Sequence, residues 1–370
     1  MSGRLFYQGR TTISSLSGPL KAAPLSGELQ APSASPRTFD KKWAEVARRF
    51  AAPDAKRSVL QLLTTIVPLV ILWASMIIVV DDVYWLALLL SIPAAAFTVR
   101  LFIIQHDCGH HSFFRSPRLN DLVGRLIGVV TLTPHEYWRR SHNTHHATCG
   151  HLEKRGIGDI NVITVAEYQA LSRWQRFLYR IYRTPAVMFG IGPLYLFVVK
   201  YRLPLDLIRQ RPALLIGVMG TNLGIVAITL ALGFSFGFMD ILMVQIPVIL
   251  LSSTAGVWLF YVQHQFEDTY WRNKKDWNIH EASVMASSYY DLPQPLRWLS
   301  GNIGIHHIHH LSCRIPNYRL GACLAELPAL KSLNRISLWE SFACLRLALW
   351  DENSQRLVSF KSARKLSPAT

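Results

Sequence analysis

The chain has 370 residues, with 39 Lys and Arg against 23 Asp and Glu, a net charge of +16. Half of its residues are apolar and only 17% are charged, against roughly 25% in soluble domains. This excludes a disordered chain, which needs low hydrophobicity, and the apolar background argues against a nucleic-acid binder.

Residues 1–38 are rich in Ser, Gly, Pro and Ala and lack the continuous apolar core of a signal peptide. They read as a flexible tail, followed by an amphipathic segment over Phe39–Phe50 at the membrane interface. Next come bilayer-length apolar runs. Val59–Val80 has no formal charge, and Val83–Gln105 has only Arg100. Pro212–Met239 and Ile241–Gln263 are likewise uncharged apart from Asp240 between them. A spanning helix needs about 20 apolar residues. The expected fold is therefore all-α and integral to a membrane. Four transmembrane helices, over about 59–80, 83–105, 212–236 and 241–263, form two hairpins. One membrane domain covers 39–345, and a C-terminal tail covers 346–370.

The basic residues set the orientation. Between Arg57 and Arg115 the only Lys or Arg is Arg100, and between Arg211 and Arg272 there is none. The short connections are acidic or neutral, so the N-terminus, the 106–211 segment and the C-terminus are expected on the cytoplasmic side. Arg100 is expected to snorkel to that face. The five Cys, at 108, 149, 313, 323 and 344, all fall in or beside cytoplasmic segments and read as reduced thiols. With no retrieval signal at Lys365–Thr370, a bacterial inner membrane is expected over the endoplasmic reticulum.

All 14 His lie between residues 106 and 310. The groups are His106-Asp107-Cys108-Gly109-His110-His111, His142-Asn143-Thr144-His145-His146 and His306-His307-Ile308-His309-His310, with His264 apart. Residues at i, i+3 and i+4 share a helix face. His106 with His110, His142 with His145 and His146, and His306 with His309 and His310 thus form three imidazole faces. His111 and His307 point elsewhere and are poorer ligands. From Val83 to His106 and from Ile241 to His264 the chain advances equally, about 35 Å as helix. His106 and His264 therefore arrive at a similar height, beneath a cytoplasmic cap of His-bearing helices.

Neutral imidazole binds iron, copper, zinc or nickel. One tetrahedral zinc cannot use eight His, whereas two metals can. Neither His-Glu-x-x-His nor Glu-x-x-His is present, and the chain has no dinucleotide fingerprint and no Cys-x-x-Cys. Electrons are therefore expected from another protein. Asp107 is placed to orient a ligand imidazole, and Asp159 and Glu153 are weaker polar candidates. His135, His151 and His280 are expected at the surface or interface.

The three His groups, in order and on one membrane side, resemble those of the membrane fatty acid desaturases. Leu311-Ser312-Cys313-Arg314-Ile315-Pro316-Asn317-Tyr318 after the third group is similar to the Δ12/ω-6 and ω-3 acyl-lipid branch. The resemblance implies two iron ions, dioxygen as co-substrate, and insertion of a cis double bond into a fatty acyl lipid. It implies as ligands His106, His110, His142, His145, His146, His306, His309 and His310, with His264 as a further one. His111 and His307 become candidates for positions behind the ligands, and Trp138 for the wall of an acyl tunnel. With no cytochrome b5-like His-Pro-Gly-Gly stretch, the donor is expected to be a ferredoxin or a separate cytochrome b5-like protein. Competing readings are a carotenoid ketolase or hydroxylase, an alkane hydroxylase, a His-lined metal transporter and a bis-His haem carrier. The segment after the third group argues against the first two, and the placement of the His at helix ends against the transporter. A haem carrier would pair only His106 and His264 across two spans and leave the other grouped His unused.

Overall fold

The structure is a computed structural model that describes residues 39–156, 158–203 and 212–365. The expected tail over 1–38 lies outside the described residues. Four helices are long and apolar enough to cross a membrane: Ala55–Val79, Tyr84–Gly109, Ala213–Phe236 and Phe238–His264. The first opens on Asp54, whose carboxylate accepts the Lys56 and Arg57 backbone N–H groups, donors that a helix start otherwise leaves unpaired. The third and fourth meet at Gly237, whose φ of +97° suits glycine. A Cβ there would stand 2.7 Å from Asp240 Oδ2.

The second long helix is the axis of the assembly and packs on both the first and the fourth, while the third packs on the fourth. Leu69, Met76, Ala94, Leu101, Val244 and Val248 form the buried seam among these helices. Their outer faces carry exposed Leu60, Ile71, Ile78, Leu89, Ile216, Leu223 and Phe234. So large an exposed apolar surface belongs against lipid.

Arg100 departs from the sequence reading. It does not snorkel but is buried, at 5% exposure. Its Nε donates to Thr65 Oγ1 at 3.1 Å, its Nη1 donates to the Trp298 carbonyl, and the guanidinium lies 3.9 Å over the Trp298 ring. A buried charge persists only where its donors are satisfied, so Arg100 clamps the first long helix to the Gln294–Leu299 helix.

The remaining elements form a cap. The Phe39–Phe50 segment contains the helix Lys41–Arg48. Phe39, Trp43, Val46 and Phe50 pack against Ile305, Ile308 and Leu320, so this apolar face covers the third His group rather than facing lipid alone. The cap also adds short strands to the expected all-helical fold. Ile163–Thr164 runs parallel to Leu347–Asp351, which pairs antiparallel with Arg356–Ser359. Tyr289–Asp291 pairs parallel with Arg335–Ser337. Residues 346–365 are therefore a packed part of the fold, not a tail, with Leu349, Trp350 and Leu357 buried.

Candidate metal centre

Each His group is carried by a helix end or a short helix. His106 stands in the last turn of the second long helix and His110 caps it. The next residue, His111, takes a left-handed φ of 53° and turns the chain away. His142, His145 and His146 share a face of the helix His135–Thr148. The helix His306–Leu311 presents His306, His309 and His310. His264 is the last residue of the fourth long helix.

These nine side chains meet in one cluster, eight of them buried and His146 half-buried. The cluster divides into two nests. Nitrogen atoms of His106, His110, His142, His146 and His309 all lie within 4.8 Å of one another, as do those of His145, His264 and His310 with Cys149 Sγ. His306 joins the second nest, its Nε2 at 3.0 Å from His264 Nε2 and 3.1 Å from His310 Nε2. The His146 and His310 rings stack at 4.0 Å and link the nests.

The contacts suit a cation. His142 Nε2 and His309 Nε2 each lie 3.1 Å from His146 Nε2, and His145 Nε2 lies 3.1 Å from His264 Nε2. His264 Nδ1 is 3.0 Å from the Ala286 carbonyl, to which only a protonated Nδ1 can donate. Its Nε2 lone pair then faces two other Nε2 atoms. The Nε2 atoms of His106 and His110 are buried with no hydrogen-bond partner. Lone pairs crowded together out of water are costly, and a cation removes that cost. With metal–nitrogen bonds of about 2.1 Å, two ligands at a right angle stand about 3.0 Å apart. Burial first, and then neighbouring imidazoles, holds His110, His142, His145, His146, His306, His309 and His310 well below the ordinary His value. They are neutral near pH 7, the state that binds metal.

The surroundings fix several rings. Asp107 Oδ1 lies 3.1 Å from His106 Nδ1. Its Oδ2 accepts from Asn317 backbone N–H at 2.7 Å and from Asn317 Nδ2 at 2.8 Å, while Asn317 Oδ1 accepts from Gln61 Nε2 at 2.8 Å. Trp138 stacks on His142 at 4.5 Å. Gly109 leaves room for that indole, since a Cβ there would fall 2.8 Å from the Trp138 ring. Cys149 Sγ lies 3.7 Å from His264 Nδ1. Asn317, Gln61 and Cys149 were not identified from sequence.

A family model described as "Fatty acid desaturase" matches residues 83–340, which include all nine of these histidines. The chain belongs to the fatty acid desaturase family. It is 44% identical over 317 residues to "Fatty acid desaturase" of Bacillus subtilis (strain 168), a match covering 86% of this chain and 90% of that protein. It is 29% identical to "sn-1 acyl-lipid omega-3 desaturase (ferredoxin)" of Synechocystis sp. (strain ATCC 27184 / PCC 6803 / Kazusa), over 65% of this chain and 68% of that one. It is 32% identical to "Acyl-lipid omega-3 desaturase (cytochrome b5), endoplasmic reticulum" of Arabidopsis thaliana, over 60% and 58%. The chain is thus a membrane desaturase enzyme with a His-rich site compatible with a metal centre.

Other polar residues of this desaturase lie outside the cluster. His111 Nε2 is 2.8 Å from both Asp121 Oδ1 and Arg139 Nη1. His307 Nε2 is 2.8 Å from the Leu330 carbonyl, and its ring stacks on Tyr289. Glu153 lies 3.0 Å from His151 Nδ1 and accepts from Lys274 backbone N–H. Burial raises the Asp159 carboxyl to about 7. Of the three His expected at the surface, only His280 is exposed. His151 is buried against Trp277, and His135 is fully buried.

His135 gives the fold a pH dependence, because burial pushes it down to about 4. An unfolded His titrates near ~6.5. Between those values the unfolded chain takes up a proton that the folded chain refuses. This contribution is whole above about 6.5 and is lost as pH falls toward 4. The melting temperature of the solubilised protein is expected to drop over that window, and His135→Met to make the drop shallower. An unaltered slope in the variant would contradict this.

Proposed function

We propose that this chain is an oxygen-dependent acyl-lipid desaturase of the Δ12/ω-6 type, with iron in both His nests. The paired nests carry the reading, because nine imidazoles in two groups match two metals and exceed what one can use. His106, His110, His142, His146 and His309 hold one iron, and His145, His264, His306 and His310 the other. Similarity to acyl-lipid relatives, including "sn-1 oleoyl-lipid 12-desaturase" of Synechocystis sp. at 26% identity, supports the substrate and bond position.

Bound iron with dioxygen and two electrons supplies the oxidant that an unactivated methylene C–H demands. Two protons enter with those electrons, and two waters leave as the alkene forms. The chain's own residues hold and position. Asp107 keeps His106 oriented through its Nδ1. Trp138, stacked on His142, walls the acyl path beside the first nest, and the burial of the cluster excludes water. Positioning one carbon–carbon bond of a flexible chain is the protein's main lever on rate and selectivity.

The four long helices form two membrane hairpins, with the His cap and both termini in the cytoplasm of a bacterial inner membrane. The distribution of basic residues supports this orientation. Electrons come from a ferredoxin or a separate cytochrome b5-like protein.

The test is a lipid profile in a host that makes only saturated and monounsaturated chains and supplies a ferredoxin. The full chain is expected to produce a diene with its new bond at Δ12, and His145→Ala and His309→Ala none. A new bond elsewhere would refute the Δ12/ω-6 assignment. An unchanged profile with iron bound and donor present would refute the acyl substrate.

A further inference from the structure

The helix Arg173–Tyr182, which follows the second His group, takes no part in the chemistry above. Ser172 and Gln175 cap its start reciprocally. Trp174, Phe177, Leu178 and Ile181 are spaced along one face and are 40–64% exposed. Beside them, Arg173, Arg176, Arg180 and Arg364 line an open cavity of about 480 Å³ with Tyr168 and Phe360. Arg180 Nε donates to Tyr168 Oη at 2.6 Å, and its guanidinium lies 5.1 Å from the Phe360 ring. Among the described residues, no carboxylate lines the cavity. Among the described residues none of these four Arg is ion-paired.

The next segment gives the depth. Val187–Lys200 bends 58° away from this helix. Thr254 Oγ1 donates to the Phe189 carbonyl, and the Phe189 ring meets Trp258 and Tyr261. Thr254 lies ten residues before His264, about 15 Å along the fourth long helix. Arg183, just after the Arg-rich helix, instead bonds Tyr261 Oη and Gln265 Oε1 near that helix's end. The chain thus passes from the end of the fourth helix into its apolar length. Arg173–Tyr182 comes just before Arg183 and so joins this passage at the His264 end of the fourth helix.

We propose that this cavity binds the phosphate of an anionic glycerophospholipid, whose acyl chains lie along Trp174, Phe177, Leu178 and Ile181. This rests on the membrane placement given above. Guanidinium groups match phosphate oxygens in pairs. A basic helix with aromatic and aliphatic residues on its other face is an interfacial element, and cytoplasmic anionic lipid is attracted to such a surface.

The test uses the full chain in phosphatidylcholine nanodiscs. Trp174 emission is isolated as the difference between parent and Trp174→Phe. Quenching is measured with acyl-brominated phosphatidylglycerol or phosphatidylcholine. Phosphatidylglycerol is expected to quench saturably at a few mol%, and phosphatidylcholine only in proportion to its amount. The combined Arg173→Gln, Arg176→Gln and Arg364→Gln variant is expected to raise the half-quenching fraction at least about tenfold, with quenching by phosphatidylcholine unchanged. Equal quenching by both lipids would overturn the headgroup site alone. So would release of the lipid by millimolar inorganic phosphate, or by an acidic carrier protein. Quenching by neither lipid would overturn the membrane placement as well.

Discussion

His146→Ala is expected to abolish desaturation, lowering the rate by more than about a hundredfold, beyond what residues behind metal ligands command. His146 Nε2 meets both His142 and His309, and its ring stacks on His310 of the other nest. Its loss opens the first nest and removes the tightest ring contact between the two. The helix itself should survive, because alanine is the best helix former. Diene formation in cells, with membrane level checked by immunoblot, measures the effect. Activity within tenfold of the parent, at equal protein, would exclude His146 from the metal site.

Asp107→Asn is expected to lower iron affinity about 10- to 100-fold with little change in expression. The carboxylate takes His106 Nδ1 on one oxygen and two Asn317 donors on the other. An amide at this position can accept on one side only and turns its NH2 toward a donor on the other. Asn317→Ala should cost less, since the Asn317 backbone N–H still reaches Asp107, and Gln61→Ala less again. A chelator-competition series on the purified proteins reads this order, and the iron's optical spectrum should shift in Asp107→Asn while the melting temperature stays close to the parent's. Loss of melting temperature without a change in iron affinity would assign the network to packing instead.

Bilayer-length apolar runs are visible in any window of the chain, so the four long helices were legible in the sequence, within a few residues at each end. The convergence of the histidines was legible too. Helical spacing put eight imidazoles on three faces, and equal advance along two runs brought His264 level with His106. What stayed hidden depends on long-range packing. Gln61 and Asn317 lie 256 residues apart, and no local pattern pairs them. Cys149 lies beside His264 only because two helices end together. His135 and Arg100 have polar side chains that composition assigns to water, yet tertiary contacts bury them. The strands near the C-terminus are short, and Leu347-Ala348-Leu349-Trp350 before a polar turn was the one signal for them.

One metal is proposed in each nest. The most direct measurement is the metal content of the full chain purified from its membrane, beside His110→Ala, which touches only the first nest, and His264→Ala, which touches only the second. About two irons per chain are predicted in the parent, with fewer in each variant. A single metal per chain, zinc at full occupancy, or undiminished iron in both variants would contradict a pair of His-held irons.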